Sequence, residues 1–194
     1  MILTRENTMD KFIVSEMSRY GDYEHIWNIC KGLTILDIGG NIGAFAYTAF
    51  EYGAKEVISY EPDIDNFNLL VKNSKGICVN KAITEHGGKV KFYINPGVNK
   101  GTHSTIPLNK DGVKEVIVES DALVDVLHKY RPDILKIDIE GGEYSLSSTL
   151  ANLPDFIKHI AIEFDTGKGD WMSIIKSLKF KDKTRNHFFS GERI

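Results

Sequence analysis

The chain has 194 residues, 42% of them apolar and 26% charged, with a formal net charge of −3. That is enough apolar material for one full core, and the near-balanced charge argues against a general polyanion binder, so any basic surface has to be local. Cys30 and Cys78 stand far apart without CxxC or Cys/His metal spacing, and no run approaches the ~20 apolar residues that span a membrane. Reduced thiols, a cytoplasmic location and no membrane partner are expected.

Between residues 10 and 32, Phe12, Ile13, Met17, Ile26, Trp27 and Ile29 recur at near-helical spacing, broken at Gly21, which predicts two helices. Residues 1–31 are read as a helical lid within the same domain as residues 32–194. Tyr20, Tyr23 and Trp27 are its candidate aromatic lining, with helix packing as the alternative. Short apolar runs at 34–38, 56–60 and 76–79 follow, separated by helical segments of crossover length, which gives βαβαβ. The first crossover, 44–52, closes at Gly53; the second begins at Pro62, with Asp63 or Asp65 as N-cap and Phe67, Leu70 and Val71 on one face.

From 89 to 119 the pattern changes. Val90, Phe92 and Ile94 alternate with polar residues, and the turn sequences NPG, NKG and KDG predict an inserted hairpin or flap. A helix over 121–130 ends at Pro132. "DILKIDIEGG" and "HIAIEFD" read as two more strands flanking a helix over 144–153, and Trp171, Ile174, Ile175 and Leu178 mark a last helix. From Lys176 onward six basic residues face two acidic ones: Lys176, Lys179, Lys181, Lys183, Arg185 and Arg193 against Asp182 and Glu192. Either RNA or a phosphorylated substrate touches this tail, or it is a solvated edge strand protected by lysines.

The stretch "LDIGGNIGAF" puts Gly39, Gly40 and Gly43 where a strand must turn sharply into a helix. It departs from the dinucleotide fingerprint G-x-G-x-x-G, because Asn41 takes the second glycine position and Ala44 the third. Asp37 would repel a pyrophosphate, but it can pair with an ammonium group, directly or through water. Glu61 ends the next strand, 22 residues after Gly39, where a carboxylate can accept bonds from both hydroxyls of a ribose. Asn80 and Lys81 follow the third strand at the expected adenine edge, with Ala82 or Ile83 as an apolar wall; a plain loop is the alternative. S-adenosylmethionine has the ribose, adenine and ammonium groups and no phosphate, and is the expected cofactor.

In "LKIDIEGGEY" Lys136, Asp138 and Glu140 alternate with Ile137 and Ile139, which would place the three charges on one strand face opening into the cleft beyond the sheet. Glu143, Glu163 and Asp165 lie nearby in the predicted topology. The carboxylates could serve as general base, as binder of a cation or as partner of a sulfonium. The structural alternative is a Lys136–Asp138 pair with Glu140 or Glu143 favouring a helix N-terminus. His103 in the flap is a candidate to act on a hydroxyl proton, with an exposed loop histidine as the alternative. No HxxxH or HExxH spacing points to a metal.

The run from "LDIGGNIGAFAYTAFEYGAKEVISYEPD" to "KIDIEGGEY" resembles the FkbM family of S-adenosylmethionine-dependent methyltransferases over residues 34–148. The resemblance implies a Rossmann-like class I α/β fold: a mostly parallel seven-stranded sheet with helices on both faces. It also implies that the D-x-G-x-N-x-G loop and the E-P after the second strand bind the cofactor, matched by Asp37, Gly39, Asn41, Gly43, Glu61 and Pro62. The K-I-D-x-E-G-x-E hallmark is matched by Lys136, Asp138, Glu140, Gly141 and Glu143. Known members mostly methylate hydroxyls of sugars or secondary metabolites, so an O-methyltransferase with a small-molecule or sugar acceptor is expected. Asp138, Glu140 and His103 are then the candidate bases. No Asn/Asp-Pro-Pro-aromatic motif follows the fourth strand, against base N-methylation by that route. The rivals are a tRNA methyltransferase and a non-catalytic cofactor-binding module.

Overall fold

The computed structural model describes residues 1–19, 23–165, 167–182 and 188–193. Two helices, α1 (Asp10–Arg19) and α2 (Glu24–Ile29), precede β1 (Thr34–Ile38), α3 (Ala44–Glu51), β2 (Glu56–Tyr60), α4 (Ile64–Asn73) and β3 (Ile77–Val79). Then come β4 (Ala82–Thr84), β5 (Gly88–Ile94), β6 (Lys114–Ala122), α5 (Leu123–Tyr130) and β7 (Ile134–Ile137). A 3₁₀ turn (Gly142–Leu146), α6 (Ser147–Ala151), β8 (His159–Glu163), α7 (Trp171–Ser177), β9 (Phe180–Asp182) and β10 (Phe188–Arg193) complete the chain.

The main sheet has seven strands in the order β3-β2-β1-β7-β8-β10-β9. Its pairs are parallel except those of β10, which runs antiparallel to β8 and β9. Side chains alternate across it. Leu36, Ile38, Leu135 and Ile137 point to a face covered by Leu123, Val126 and Leu127 of α5, Leu150 of α6 and Ile174 of α7. Ile35, Val57 and Ile134 point to the other, covered by Ile26 of α2 and Phe45, Ala46 and Ala49 of α3. This is the expected α/β layering. The order reverses between β1 and β7, so a crevice opens beyond the carboxyl ends of these strands.

The expected hairpin is β5 against β6, antiparallel from Gly88–Ser120 to Ile94–Lys114. It carries a third strand, β4, parallel to β6. Three residues are too few to show a period, which is why "AIT" did not read as a strand. The helix expected over 144–153 is instead the 3₁₀ turn followed by the short α6. Its serines explain the break: Ser145 Oγ donates to the carbonyl of Gly142 (2.7 Å), the kind of local bond that competes with an α-helical ladder.

At the N-terminus, Tyr23 and Trp27 pack on Phe45, with ring centroids 5.2 and 5.1 Å away, and Tyr23 also meets Phe188 at 5.0 Å. These two rings are packing residues of the sheet face; Tyr20 lies outside the described residues. The preceding segment reaches the flap, because Met9 N–H donates to Val98 O (3.2 Å) and Ile13 lies beside Gly101. The basic tail forms the sheet edge β9 and the strand β10. Arg193 there donates to the carbonyls of Leu153, Pro154 and Ile157. Lys183 and Arg185 lie outside the described residues.

Candidate active site

The loop after β1 turns through three left-handed residues, Gly39 (φ 86°), Asn41 (φ 47°) and Gly43 (φ 89°). Glycine at 39 is required by proximity as well as conformation, since a Cβ there would lie 1.8 Å from the backbone oxygen of Asp138. The loop is therefore pressed against the end of β7. The N–H groups of Gly39 and Gly40 donate to Tyr60 O (3.0 and 2.9 Å), and Gly43 caps α3.

Gly39, Asn41, Glu61, Pro62, Lys81 and Ala82 line one cleft. His103, Asp138 and Glu140 line the same cleft. It holds about 550 Å³ of free space, open solvent at its mouth included. Asp37, Gly40, Gly43 and Asn80 do not line it. Lining residues that escaped the sequence reading include Tyr60 at the end of β2, Asn66 on α4, Phe92 on β5 and Thr105 in the flap. Asn66 alone had a signal, a polar residue on the first turn of a helix that follows the Glu61-Pro62 pair. Its side-chain amide donates to Lys100 O (2.9 Å), tying α4 to the flap.

Glu61 is 5% exposed and accepts the backbone N–H of Asn41 on one oxygen and that of Asp63 on the other, each at 2.8 Å. Each oxygen keeps a further lone pair. Burial pushes its carboxyl up to about 7, against the pull of those two amide bonds. Asn80 serves the same corner structurally, its side-chain amide donating to Glu61 O and Pro62 O. Lys81 Nζ is held by Asp121 (2.6 Å), which also accepts the Tyr60 hydroxyl (3.2 Å). The lysine thus braces the wall, and its ammonium is already paired.

Asp37 departs from expectation. It is fully buried, opposite Lys136 in the β1–β7 register, with its carboxylate 3.1 Å from Lys136 Nζ and accepting Ser59 Oγ at 2.9 Å. Lys136 Nζ donates further to Gly39 O (2.8 Å) and lies 3.7 Å from Asp138. Burial works against this charge, but Asp37 and Asp138 outweigh it and hold the ammonium above the ordinary lysine range.

The expectation that Lys136, Asp138 and Glu140 share a strand face also fails, because β7 ends at Ile137 and Glu140 takes φ 54°. The loop that replaces it is stapled by Glu143, fully buried, which accepts Gly141 N–H and Asp165 N–H, both at 2.8 Å. Ser104 Oγ, from the flap, donates to Glu140 O (2.6 Å). Burial, with the carboxylates of Asp138, Asp165 and Glu143 adding to it and Lys168 opposing, pushes the Glu140 carboxyl up to about 8.

His103 is buried, and its Nδ1 accepts Asn95 N–H (2.9 Å). Burial lowers its proton affinity, so the ring is neutral with its proton on Nε2. Its lone pair is thus already engaged. The exposed loop histidine that the sequence offered as the alternative is thus not what the structure has: the ring is buried, with Nδ1 engaged by an amide.

A raised carboxyl binds its proton more tightly folded than unfolded. Its contribution to stability is full below the ordinary value of 4.5 and lost as pH rises through about 8. Glu140→Gln should therefore gain melting temperature over the wild type as pH rises from 4.5 to 8 in ligand-free protein. A difference independent of pH in thermal melts would refute the burial argument.

The chain matches the Methyltransferase FkbM domain over residues 37–180, a span that carries the glycine loop, Glu61 and the Asp138–Glu140 loop. It belongs to the FkbM methyltransferase family. Over 136 residues this FkbM chain is 25% identical to the hexuronic acid methyltransferase AglP of Haloferax volcanii, a match covering 68% of the chain and 55% of that relative. It thus spans little more than half the relative's length. In fold it resembles the putative methyltransferase yhhF of Escherichia coli, with 13% identity, a TM-score of 0.50 and coverage of 100% of this chain and 92% of that one. It is also similar to magnesium protoporphyrin IX methyltransferase ChlM of Synechocystis PCC 6803, solved with bound SAM, at 12% identity, TM-score 0.49 and coverage of 95% and 77%. The fold is that of class I S-adenosylmethionine-dependent methyltransferases.

Proposed function

We propose that this FkbM-family protein transfers a methyl group from S-adenosylmethionine to a hydroxyl oxygen of a small-molecule or sugar acceptor. The observation that carries the reading is the sharing of one cleft by Glu61 on one strand end and Glu140, a carboxyl with raised proton affinity, beyond another. The donor set fits the cofactor. Glu61 has lone pairs left for two ribose hydroxyls, Ala82 and Ile83 offer an apolar wall, and Asn41 Oδ1 is buried without a hydrogen-bond partner among the described residues. Asp37, Gly40 and Gly43 act one layer back, shaping the loop, and Asn80 and Lys81 shape the opposite corner.

S-adenosylmethionine supplies an electrophilic methyl group when bound. The chain's part is to orient the acceptor and remove its proton. Glu140 takes the hydroxyl proton, and its high proton affinity suits a base that works near neutral pH. His103 Nε2–H donates a hydrogen bond that orients an acceptor oxygen. In this reading residues 1–31 belong to one domain with residues 32–194, bracing the flap through Met9. Cytoplasmic location is part of the proposal and agrees with the free thiols of Cys30 and Cys78. No described helix is long and apolar enough to cross a membrane. The relative's name suggests a sugar acceptor, whereas the lysines at 176, 179 and 181 do not line the cleft and give RNA no support there.

Incubation with S-adenosylmethionine and a panel of sugar and polyol acceptors tests this. The expected result is S-adenosylhomocysteine release with a methyl ether detected by mass spectrometry. Methylation confined to amines or RNA would overturn the hydroxyl reading.

A further inference from the structure

Lys136 Nζ occupies the carboxylate that the sequence offers to the amino end of the cofactor. It donates to the carbonyl of Gly39 at 2.8 Å and lies 3.1 Å from the Asp37 carboxylate. Asp37 is fully buried, accepts Ser59 Oγ on Oδ2, has on Oδ1 the ion pair with Lys136 and no hydrogen bond among the described residues, and does not line the cleft. A second ammonium cannot approach that pair without meeting the lysine charge. Asp138 is placed differently. Its backbone abuts Gly39, its side chain is 28% exposed and lines the cleft, and its carboxylate accepts no hydrogen bond among the described residues. Its ion pair with Lys136 is long, at 3.7 Å.

Charge counting points the same way. Asp37 and Asp138 flank a single buried ammonium, so carboxylates outnumber the lysine in this corner, and of these two only Asp138 opens to the cleft. Neither other carboxylate of the cleft substitutes for it. Glu61 holds the amides of Asn41 and Asp63 at the other strand end and keeps its remaining lone pairs for the ribose, and Glu140 lies near the carboxylates of Asp138, Asp165 and Glu143 with Lys168 already opposing them.

We infer that Asp138, not Asp37, receives the ammonium of the amino acid end of S-adenosylmethionine, and that Lys136 is an internal counter-ion that keeps Asp37 out of the binding set. The inference rests on the cofactor reading above. It also removes Asp138 from the candidate bases, because a carboxylate paired with an ammonium is a poor proton acceptor.

The test is a cycle of two ligands and two proteins, read by calorimetry: S-adenosylhomocysteine and its analogue lacking the α-amino group, against wild type and Asp138→Asn. The wild type should bind the deaminated analogue roughly 10- to 100-fold more weakly. Asp138→Asn should weaken S-adenosylhomocysteine by a similar factor and bind the two ligands alike. Asp138→Ser repeats the measurement should the Asn variant melt early. Full discrimination between the ligands in a folded Asp138 variant would overturn the inference while leaving the cofactor assignment standing. A wild type that binds neither ligand would overturn both.

Discussion

Glu140→Gln is expected to lower single-turnover methylation of a hydroxyl acceptor by ~10²- to 10⁴-fold, with S-adenosylhomocysteine affinity nearly unchanged. The amide is isosteric and cannot take a proton. The left-handed turn at this residue is held by Glu143, through the Gly141 amide, and by Ser104 Oγ on the Glu140 carbonyl, so replacing the side-chain head leaves the loop in place. The pH profile separates catalysis from packing. With a carboxyl near 8, kcat/KM should rise with pH and level off above that value in the wild type. The variant should show no such bend. A normal rate in folded Glu140→Gln removes the residue from the mechanism.

Glu61→Ala should weaken S-adenosylhomocysteine binding by ~2 to 4 kcal/mol, the sum expected for two hydroxyl bonds to a carboxylate. Some of this loss is indirect. The same carboxylate accepts the N–H groups of Asn41 and Asp63, so the variant also loosens the glycine loop and the start of α4. Glu61→Gln distinguishes the two contributions, since the amide keeps one acceptor oxygen and nearly the same volume. It should recover part of the melting temperature, because only one of the two backbone N–H groups keeps an acceptor, and less of the affinity. Unchanged affinity in Glu61→Ala would sink the ribose assignment.

The parts of the fold that read clearly from the sequence are those written in local chemistry. Apolar runs at 34–38 and 56–60, Gly53 with φ 89° behind α3, and Asp63 capping α4 by accepting Asn66 N–H are each set by neighbours within a few residues. The cleft's membership was legible for the same reason, because both the glycine loop and Glu61 sit at strand ends that a parallel sheet brings to one edge. What escaped is long-range. Asp37 meets Lys136 only because β1 and β7 pair in one particular register across about half the chain, and no spacing rule gives that register. The tautomer of His103 depends on a single amide, Asn95 N–H, presented by the far side of a loop. Glu143 looked like a helix-end charge, yet its two bonds join the loops after β7 and β8. The strand alternation that seemed to align Asp138 with Glu140 stopped at Ile137, where the backbone turns left-handed at Glu140 and Gly141.

The division of labour around the cleft has a consequence for how such a protein can be re-tooled. Glu61 and the glycine loop are fixed to the seven-stranded sheet, while His103, Ser104 and Thr105 belong to the connection between β5 and β6, which is paired to β4 and not to that sheet. Surface connections accept changes of length at small entropic cost. Segments grafted between β5 and β6 can therefore vary one wall of the cleft while the seven-stranded sheet stays in place, provided that the contacts tying this connection to the rest are kept: Ser104 Oγ to the Glu140 carbonyl, the Asn66 amide to Lys100 O and Met9 N–H to Val98 O.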